Sequence, residues 1–140
     1  LQIHEAPRTH SDLLFKGAVR DTARSVYTGL IHIKPNAAHS QAFQTNRNLT
    51  LSEGAWAESV PNLEIETNEV KCSHASTVGS VDEDQRFYLE SRGVPPEIAE
   101  RLIVFGFFNE VIDRLPKAAD VESLRAAVNH KLNPEGDVAQ

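Results

Sequence analysis

Residues 25–33, Ser-Val-Tyr-Thr-Gly-Leu-Ile-His-Ile, place apolar and β-branched side chains in short runs without a helical period. Such a pattern predicts a β-strand. Four other segments before residue 80 share this texture: 13–15, 49–51, 63–65 and 70–78. Turn-forming dipeptides separate the segments: Arg20-Asp21, Pro35-Asn36, Glu53-Gly54, Pro61-Asn62 and Asn68-Glu69. The first part of the chain is therefore predicted to consist of short strands joined by turns.

The strands follow one another without an intervening helical segment. This disfavours a doubly wound α/β sheet, in which helices connect parallel strands. A β-sandwich and a parallel β-helix both remain compatible with the spacing. Small residues beside the strands, such as Gly17-Ala18 and Ala37-Ala38, suit the tight corners of a β-helix, although a sandwich tolerates them too.

The pattern becomes helical after residue 80. Three helices are predicted, followed by a frayed tail at 133–140. The first begins at the acidic turn Asp82-Glu83-Asp84 and stops at Gly93, the second extends from Pro95-Pro96 to Pro116, and the third covers 121–132 with Asp120 as its N-cap. The second helix is apolar on more than one side, which predicts burial on more than one side.

Composition restricts the class of protein. The chain has 140 residues, a formal net charge of −6 and no stripe of Lys and Arg, which argues against a nucleic-acid partner. Cys72 is its one cysteine, so an internal disulfide is excluded and a reducing, cytoplasmic location is expected. No apolar run approaches the roughly 20 residues of a membrane span, and no signal peptide is evident. The chain begins at Leu1 without Met, which suggests an excised fragment.

Common catalytic signatures are absent from the sequence. It contains no phosphate-binding loop, no G-x-G-x-x-G, no G-x-S-x-G and no H-E-x-x-H. We therefore predict that the chain is not an enzyme and binds no nucleotide. Glu64 and Glu66 are paired carboxylates, interpreted as solvent-facing strand residues without a basic partner. A carbohydrate-active β-helix enzyme using such carboxylates is the alternative.

Lys71-Cys72-Ser73-His74 is the one chemically suggestive segment. On a strand, Cys72 and His74 would share a face and could bind zinc or iron, although two ligands are too few for a closed site. A second chain, or another part of this one, would have to complete it. A thiolate nucleophile is a further possibility. The plainer interpretation is a buried cysteine beside an incidental histidine. The remaining histidines, His32 among them, match no metal-binding spacing.

The segment Phe105-Gly106-Phe107-Phe108 admits two interpretations. It can be part of a hydrophobic core, or it can present an aromatic anchor to a partner. Phe107 lies off the helix face shared by Phe108 and Ile112, which makes it the better interface candidate. Gly106 would allow another backbone to approach closely.

Four segments together resemble the SufB/SufD family of iron–sulfur cluster assembly proteins. Residues 44–52 are similar to Q-x-x-x-N-L-L-L-S, and residues 61–65 with 70–75 to P-x-L-E-I…V-x-C-x-H-[GA]. Residues 84–93 are similar to D-[EQ]-Q-x-F-Y-L-x-S-R-G, and residues 105–116 to G-F-F…V-x-x-[RL]-x-P. The segments occur in the family's order over nearly the whole chain. Ser73-His74-Ala75, where SufB-like members have His-Glu-Ala, favours a SufD-like protein.

The resemblance implies a fold and a role. Residues 1–80 would be the C-terminal coils of a parallel β-helix, and 81–140 a small helical domain. The chain would act as a scaffold subunit of the SUF complex, paired with a SufB-type subunit or with its own copy. His74 would contact a transient iron–sulfur cluster shared with that subunit. Cys72 is the secondary candidate for the same contact. A SufC-type ATPase would bind the helical domain, where the candidate partner-binding residues are Phe107, Gly106, Glu110 and Arg114.

Overall fold

The protein contains two compact units, residues 1–80 and 81–140. The structure is a computed structural model, and it describes residues 1–116 and 120–133. The first unit holds six strands: β1 (Gln2–His4), β2 (His10–Val19), β3 (Arg24–Ile33), β4 (Gln41–Thr50), β5 (Trp56–Ile65) and β6 (Lys71–Gly79). The described residues of the second unit form three helices: α1 (Glu83–Glu90), α2 (Pro96–Ile112) and α3 (Val121–Leu132).

The strands form two parallel three-stranded sheets. Odd-numbered strands build one sheet in the order β1-β3-β5, and even-numbered strands build the other in the order β2-β4-β6. Each pairing is parallel and in continuous register, for example Arg24 with Trp56 through Ile33 with Ile65. Paired residues lie about 30 positions apart in the sequence, a spacing within the range of repeat architectures. Consecutive strands therefore belong to different sheets, and each strand from β3 onward pairs with the strand two positions earlier in the chain.

A small hydrophobic cluster lies between the two sheets. Ile31 and Ile33 of β3 are fully buried, as are Ala37 in the following turn and Ala42 of β4. Val70 and Cys72 pack against this cluster while remaining partly exposed. Burying an isoleucine side chain contributes about 1.5–3 kcal/mol, so the two isoleucines are the main apolar anchors of this cluster.

β4 places more polar side chains in the interior than the other strands do. Gln44, Asn46 and Asn48 are buried although all three are amides. Asn48 Nδ2 donates to Asn46 Oδ1 at 2.7 Å, and Gln44 Nε2 donates to the Tyr27 hydroxyl at 2.6 Å. Because these buried residues are polar, the expectation of a strand at only 49–51 is wrong, and the strand extends back to Gln41. Burial of amides is tolerated where they are hydrogen-bonded.

Pro61-Asn62 is not a turn, contrary to the sequence-based expectation. Both residues lie within β5, with Pro61 opposite Gly29 of β3. Proline removes a backbone donor, which a central strand cannot lose without an unpaired acceptor. β5 is an edge strand with β3 as its one ladder partner, so a proline can be accommodated there.

The helices follow their predicted end signals closely. The Asp82 carboxylate accepts from the Asp84 and Gln85 amides, and Asp120 caps α3 by accepting from Ser123 N at 3.0 Å. α1 is followed by Gly93 at φ +87°, which agrees with the predicted stop. α2 ends at Ile112 rather than at Pro116. A proline lacks the amide hydrogen for a bond to the carbonyl four residues earlier and its ring clashes with that carbonyl, which here belongs to Ile112.

Most of the predicted frayed tail, 134–140, lies outside the described residues. Within residues 1–116 and 120–133, no helix is long and apolar enough to cross a bilayer.

Replacing Gly29 should destabilise the strand unit. A Cβ on Gly29 would overlap Gln44 Nε2, and Gln44 is buried and bonded to Tyr27, so it cannot swing freely aside. We expect Gly29→Ala to lower the free energy of unfolding by about 1–3 kcal/mol in urea denaturation. Gly79→Ala is the matched control, since a Cβ there meets no atom within 4 Å. Equal stability of the two variants would contradict close packing of Gln44 over Gly29.

Candidate functional site

β6 carries the two residues that the sequence predicts as metal ligands. It lies at the edge of the sheet β2-β4-β6, and its ladder with β4 pairs Cys72 with Ala42 and His74 with Gln44. Side chains two residues apart on a strand point to the same face. Cys72 and His74 therefore lie on the interior side of the sheet, next to positions of β4 that are buried.

Cys72 lies against the apolar end of the interior. Its side chain is partly buried and packs on the cluster that contains Ile31, Ile33 and Ala42. This burial raises the pKa of the Cys72 thiol, because a charged thiolate is poorly solvated there. A nucleophilic or redox-reactive cysteine needs the opposite shift. The geometry therefore favours a protonated, packed thiol over a cysteine nucleophile in the isolated chain.

His74 has a different environment. It is exposed, and its register neighbour is the buried amide of Gln44. Among the described residues, Gln44 Oε1 has no hydrogen-bond partner. Within the described ranges, the one three-donor group suited to a metal does not include Cys72 or His74. A metal or cluster held by this pair would need ligands from elsewhere, and its assignment stays a prediction.

A second group of donors is found on the outer face of the other sheet. His32 of β3 pairs in register with Glu64 of β5, and its Nε2 lies 2.6 Å from Glu66 Oε1. The interpretation of Glu64 and Glu66 as exposed carboxylates agrees with the structure. The interpretation that they have no basic partner is wrong, because His32 lies beside both of them. The interpretation of His32 as a residue that binds no metal stays a prediction. Local spacing could not reveal the group, because His32 is distant from both carboxylates in sequence.

The predicted partner-binding residues lie on the second half of α2 and just beyond it. Gly106 is exposed, and among the described residues no atom apart from its own helix backbone and its two neighbours lies within 4 Å of the place where its Cβ would stand. Phe107 is half-buried and packs edge-to-face on Phe108, with 5.3 Å between the ring centres. Glu110 Oε1 accepts from Arg114 Nη2 at 3.3 Å. Gly106 is therefore more open than Phe107, which the sequence made the better candidate.

The helical unit also has an apolar groove that the sequence did not indicate. Tyr88 and Leu89 of α1 and Leu102 and Ile103 of α2 line it, and its volume is about 440 Å³. Tyr88 and Leu102 are 55% and 50% exposed, and neighbouring Phe87 is 73% exposed. Burial on several sides, expected from the apolar sequence of α2, therefore does not extend to Leu102.

Comparison with known proteins identifies the family of the chain. The model of the family described as "SUF system FeS cluster assembly, SufBD core domain" matches residues 1–107. The chain belongs to the SufBD family. An iron–sulfur cluster assembly SufBD family protein of Mycobacterium leprae is 44% identical over 92% of this chain and 35% of its own length.

Two SufD proteins show how much of a SufBD protein is present. The iron–sulfur cluster assembly protein SufD of Bacillus subtilis is 36% identical over 93% of this chain and 30% of its own length. SufD of Escherichia coli is 34% identical over 92% of this chain and 30% of its own length. The chain thus spans about a third of the curated relatives that it matches. Membership of the SufBD family does not favour the carbohydrate-active alternative.

Two residues of the segment that resembles the SufBD family, Gln44 and Asn48, have a packing role in the structure. Gln44 and Asn48 are both in the interior, above Gly29 and Gly17 respectively. A Cβ on Gly17 would stand 2.6 Å from Asn48 Oδ1. In this chain, therefore, the Q-x-x-x-N segment packs long amides over glycines of neighbouring strands.

The raised pKa of Cys72 leads to a direct prediction. Alkylation by iodoacetamide requires the thiolate, so labelling of the folded chain should be slow at neutral pH and accelerate only above the ordinary thiol pKa. Mass spectrometry of the time course at several pH values measures this, and the urea-unfolded chain is the matched reference. Rapid stoichiometric labelling at neutral pH would instead indicate an activated cysteine.

Proposed function

We propose that this chain is a SufD-like scaffold subunit of a SUF iron–sulfur cluster assembly complex. In this proposal the strand unit pairs with a SufB-type subunit or a second copy, and the helical unit binds a SufC-type ATPase. The observation that carries the proposal is the exposure of inward-facing side chains on the edge strands β5 and β6. His74 of β6 is one of these exposed side chains. We propose no catalytic role for the chain itself, and its cytoplasmic location stays a prediction.

The proposed fold of the strand unit is a parallel β-helix. The alternation of strands between two parallel sheets supports it, as does the spacing of about 30 residues between paired positions. In such a coil each turn covers the interior of the turn before it. β5 and β6 would then be the last turn of this unit, and their inward-facing side chains would have no further turn above them.

Exposure of the inward positions supports pairing at this end. Leu63 and Ile65 are in register with the buried Ile31 and Ile33. The side chains of Leu63 and Ile65 are nevertheless 39% and 43% exposed. Val78 of β6, in register with buried Asn48, is 43% exposed. Edge strands with apolar side chains readily accept another chain through main-chain hydrogen bonds and side-chain packing.

The proposed cluster role rests on His74, with Cys72 as a secondary candidate. Imidazole and thiolate are both ligands of iron, and the nascent cluster would be cargo passed through the complex rather than a resident cofactor. Two donors from one chain leave positions for donors of the paired subunit. The buried Cys72 thiol would have to lose its proton before binding, which makes it the less ready ligand.

The proposed ATPase contact rests on the exposed features of the helical unit. The sequence contains no phosphate-binding loop, so ATP chemistry would belong to the partner. The groove beside Tyr88 and Leu102 offers apolar area, and the open position at Gly106 allows close approach. The Glu110–Arg114 pair lies near Gly106 along the chain and adds charges of both signs. Exposed aromatic and apolar residues are typical of partner surfaces.

Substitution of His74 should impair cluster assembly without unfolding the chain. His74 is exposed, so His74→Ala should leave thermal stability within about 0.5 kcal/mol of wild type. We expect lower iron and sulfide content in the anaerobically purified SUF complex. His130→Ala, which removes an exposed histidine from α3, is the control. Normal cluster content in the His74 variant would remove His74 from the proposed site.

A bulky charge at Gly106 should weaken ATPase binding. Because the space around Gly106 is open, Gly106→Arg should fold normally while obstructing a docked partner. We expect reduced co-purification of a SufC-type ATPase. Ala126→Arg, at an exposed small residue of α3, is the matched control. Equal recovery of the ATPase with both variants would place its contact elsewhere.

A further inference from the structure

His32, Glu64 and Glu66 form a compact group of metal-binding donors on the outer face of the sheet β1-β3-β5. One donor atom from each residue can be chosen so that all three lie within 4.8 Å of one another. His32 Nε2 is 2.6 Å from Glu66 Oε1, and His32 Nδ1 is 4.0 Å from Glu64 Oε2. The donors are therefore already close enough for small side-chain rotations to bring them around one ion.

The backbone beneath the group is well anchored. His32 lies between Ile31 and Ile33, which are both fully buried, and it pairs in register with Glu64. The Glu66 amide donates to the Ile33 carbonyl at 2.9 Å, which holds Glu66 beside the end of β3. The His32 side chain is 21% exposed, whereas the two glutamates are 57% and 43% exposed. The imidazole is thus sheltered, and the carboxylates remain accessible to an ion from solution.

We propose that His32, Glu64 and Glu66 bind one divalent first-row transition-metal cation. Two carboxylate oxygens and one imidazole nitrogen suit Mn²⁺, Fe²⁺, Co²⁺ or Zn²⁺, whereas Mg²⁺ and Ca²⁺ prefer oxygen ligands alone. The two carboxylates balance the charge of the ion. Three protein ligands leave coordination positions open to water, as in metal sites that exchange ligands.

Electrostatics on this face favour an ion over a simple hydrogen-bonded pair. Glu64 and Glu66 are like charges on one side of the same chain segment, and a single imidazole, which carries at most one positive charge, cannot compensate both of them. A bound cation relieves their repulsion and takes the place of the hydrogen between His32 Nε2 and Glu66 Oε1, which lie 2.6 Å apart. Lys34 lies on the same face, but its ammonium group forms an ion pair with Glu5, whose carboxylate oxygen is 3.1 Å away.

The chain contains a natural comparison for this group. His39 Nε2 lies 3.3 Å from Glu69 Oε2, which gives one imidazole and one carboxylate. Within the part of the chain that the structure describes, that pair belongs to no three-donor group. If any exposed histidine–glutamate pair were sufficient, His39 and Glu69 would bind the same ions equally well.

The experiment is a metal titration of the purified chain with MnCl₂ and separately with ZnCl₂. Free Mn²⁺ is measured by electron paramagnetic resonance, and Zn²⁺ binding is measured by calorimetry. We expect one equivalent to bind to the wild type. His32→Gln and Glu66→Gln should weaken binding about tenfold or more, since even residues behind metal ligands cost about that much when changed. Glu64→Gln should weaken binding in the same direction.

Three control variants distinguish this site from nonspecific surface binding and from binding at β6. Glu58→Gln removes a carboxylate from the same strand, and His39→Gln disrupts the two-donor pair; both should bind normally. Cys72→Ala combined with His74→Gln should leave the equivalent held by His32, Glu64 and Glu66 in place, because Cys72 and His74 belong to the other sheet. Circular dichroism checks that every variant is folded, and Mn²⁺ or Zn²⁺ at equal concentration should raise the Tm of the wild type more than that of His32→Gln.

Two results would overturn the proposal. The first is the absence of stoichiometric Mn²⁺ or Zn²⁺ binding to the folded wild-type chain. The second is binding that survives His32→Gln and Glu66→Gln but disappears in the Cys72/His74 double variant. That second pattern would assign the bound ion to β6, so it distinguishes this metal site from the proposed role of His74.

Discussion

The strand unit depends on one constraint, the continuous parallel register of β3 with β5 and of β4 with β6. Parallel pairing stacks residues about 30 positions apart, so side chains that are unrelated in the sequence become neighbours. A slip of one residue would turn every side chain of a strand to the opposite face. Such a slip in β5 would move Glu64 away from His32 and bring the alternate residues Leu63 and Ile65 to the outer face. The buried isoleucines of β3 and the donor group outside it are therefore consequences of the same pairing.

The interior of the strand unit changes in character along β4. At one end Ala42 joins the apolar cluster of Ile31 and Ile33, while at the other Asn46 and Asn48 bond to each other. β6 follows this gradient, since Cys72 is in register with Ala42 and His74 with Gln44. The two residues of the C-x-H segment therefore meet different surroundings. An apolar neighbourhood keeps the thiol protonated, and an amide neighbourhood can donate to or accept from the imidazole.

A structural feature can be predicted from the sequence when the residues that determine it are close together in the chain. The N-termini of α1 and α3 each depend on one capping side chain, so Asp82 and Asp120 are sufficient to locate them. α2 has no side-chain cap and is located from Pro95 and Pro96. The strand β4 depends on buried amides whose partners come from elsewhere, so its hydrophobic pattern was too weak. Pro61 looked like a turn because an edge position cannot be recognised from proline alone. The resemblance to the SufB/SufD family indicated His74 but contained no information on His32, whose neighbours are supplied only by the register.

The two donor sets differ in what they need from other molecules. Cys72 and His74 face inward on the edge strand β6, and the inward-facing Leu63 and Ile65 of the edge strand β5 are exposed. Cys72 and His74 supply only two donors, so the proposed cluster role needs further ligands from a paired chain. His32, Glu64 and Glu66 face outward and offer three donors from one chain. Pairing at the inward edge would therefore change the coordination available to His74, while the outer group would retain its three ligands in the unpaired chain. The proposed ion binding and the proposed subunit pairing can therefore be measured separately, because the alternation of side chains along β-strands places one donor set on an outer face and the other on an inner face.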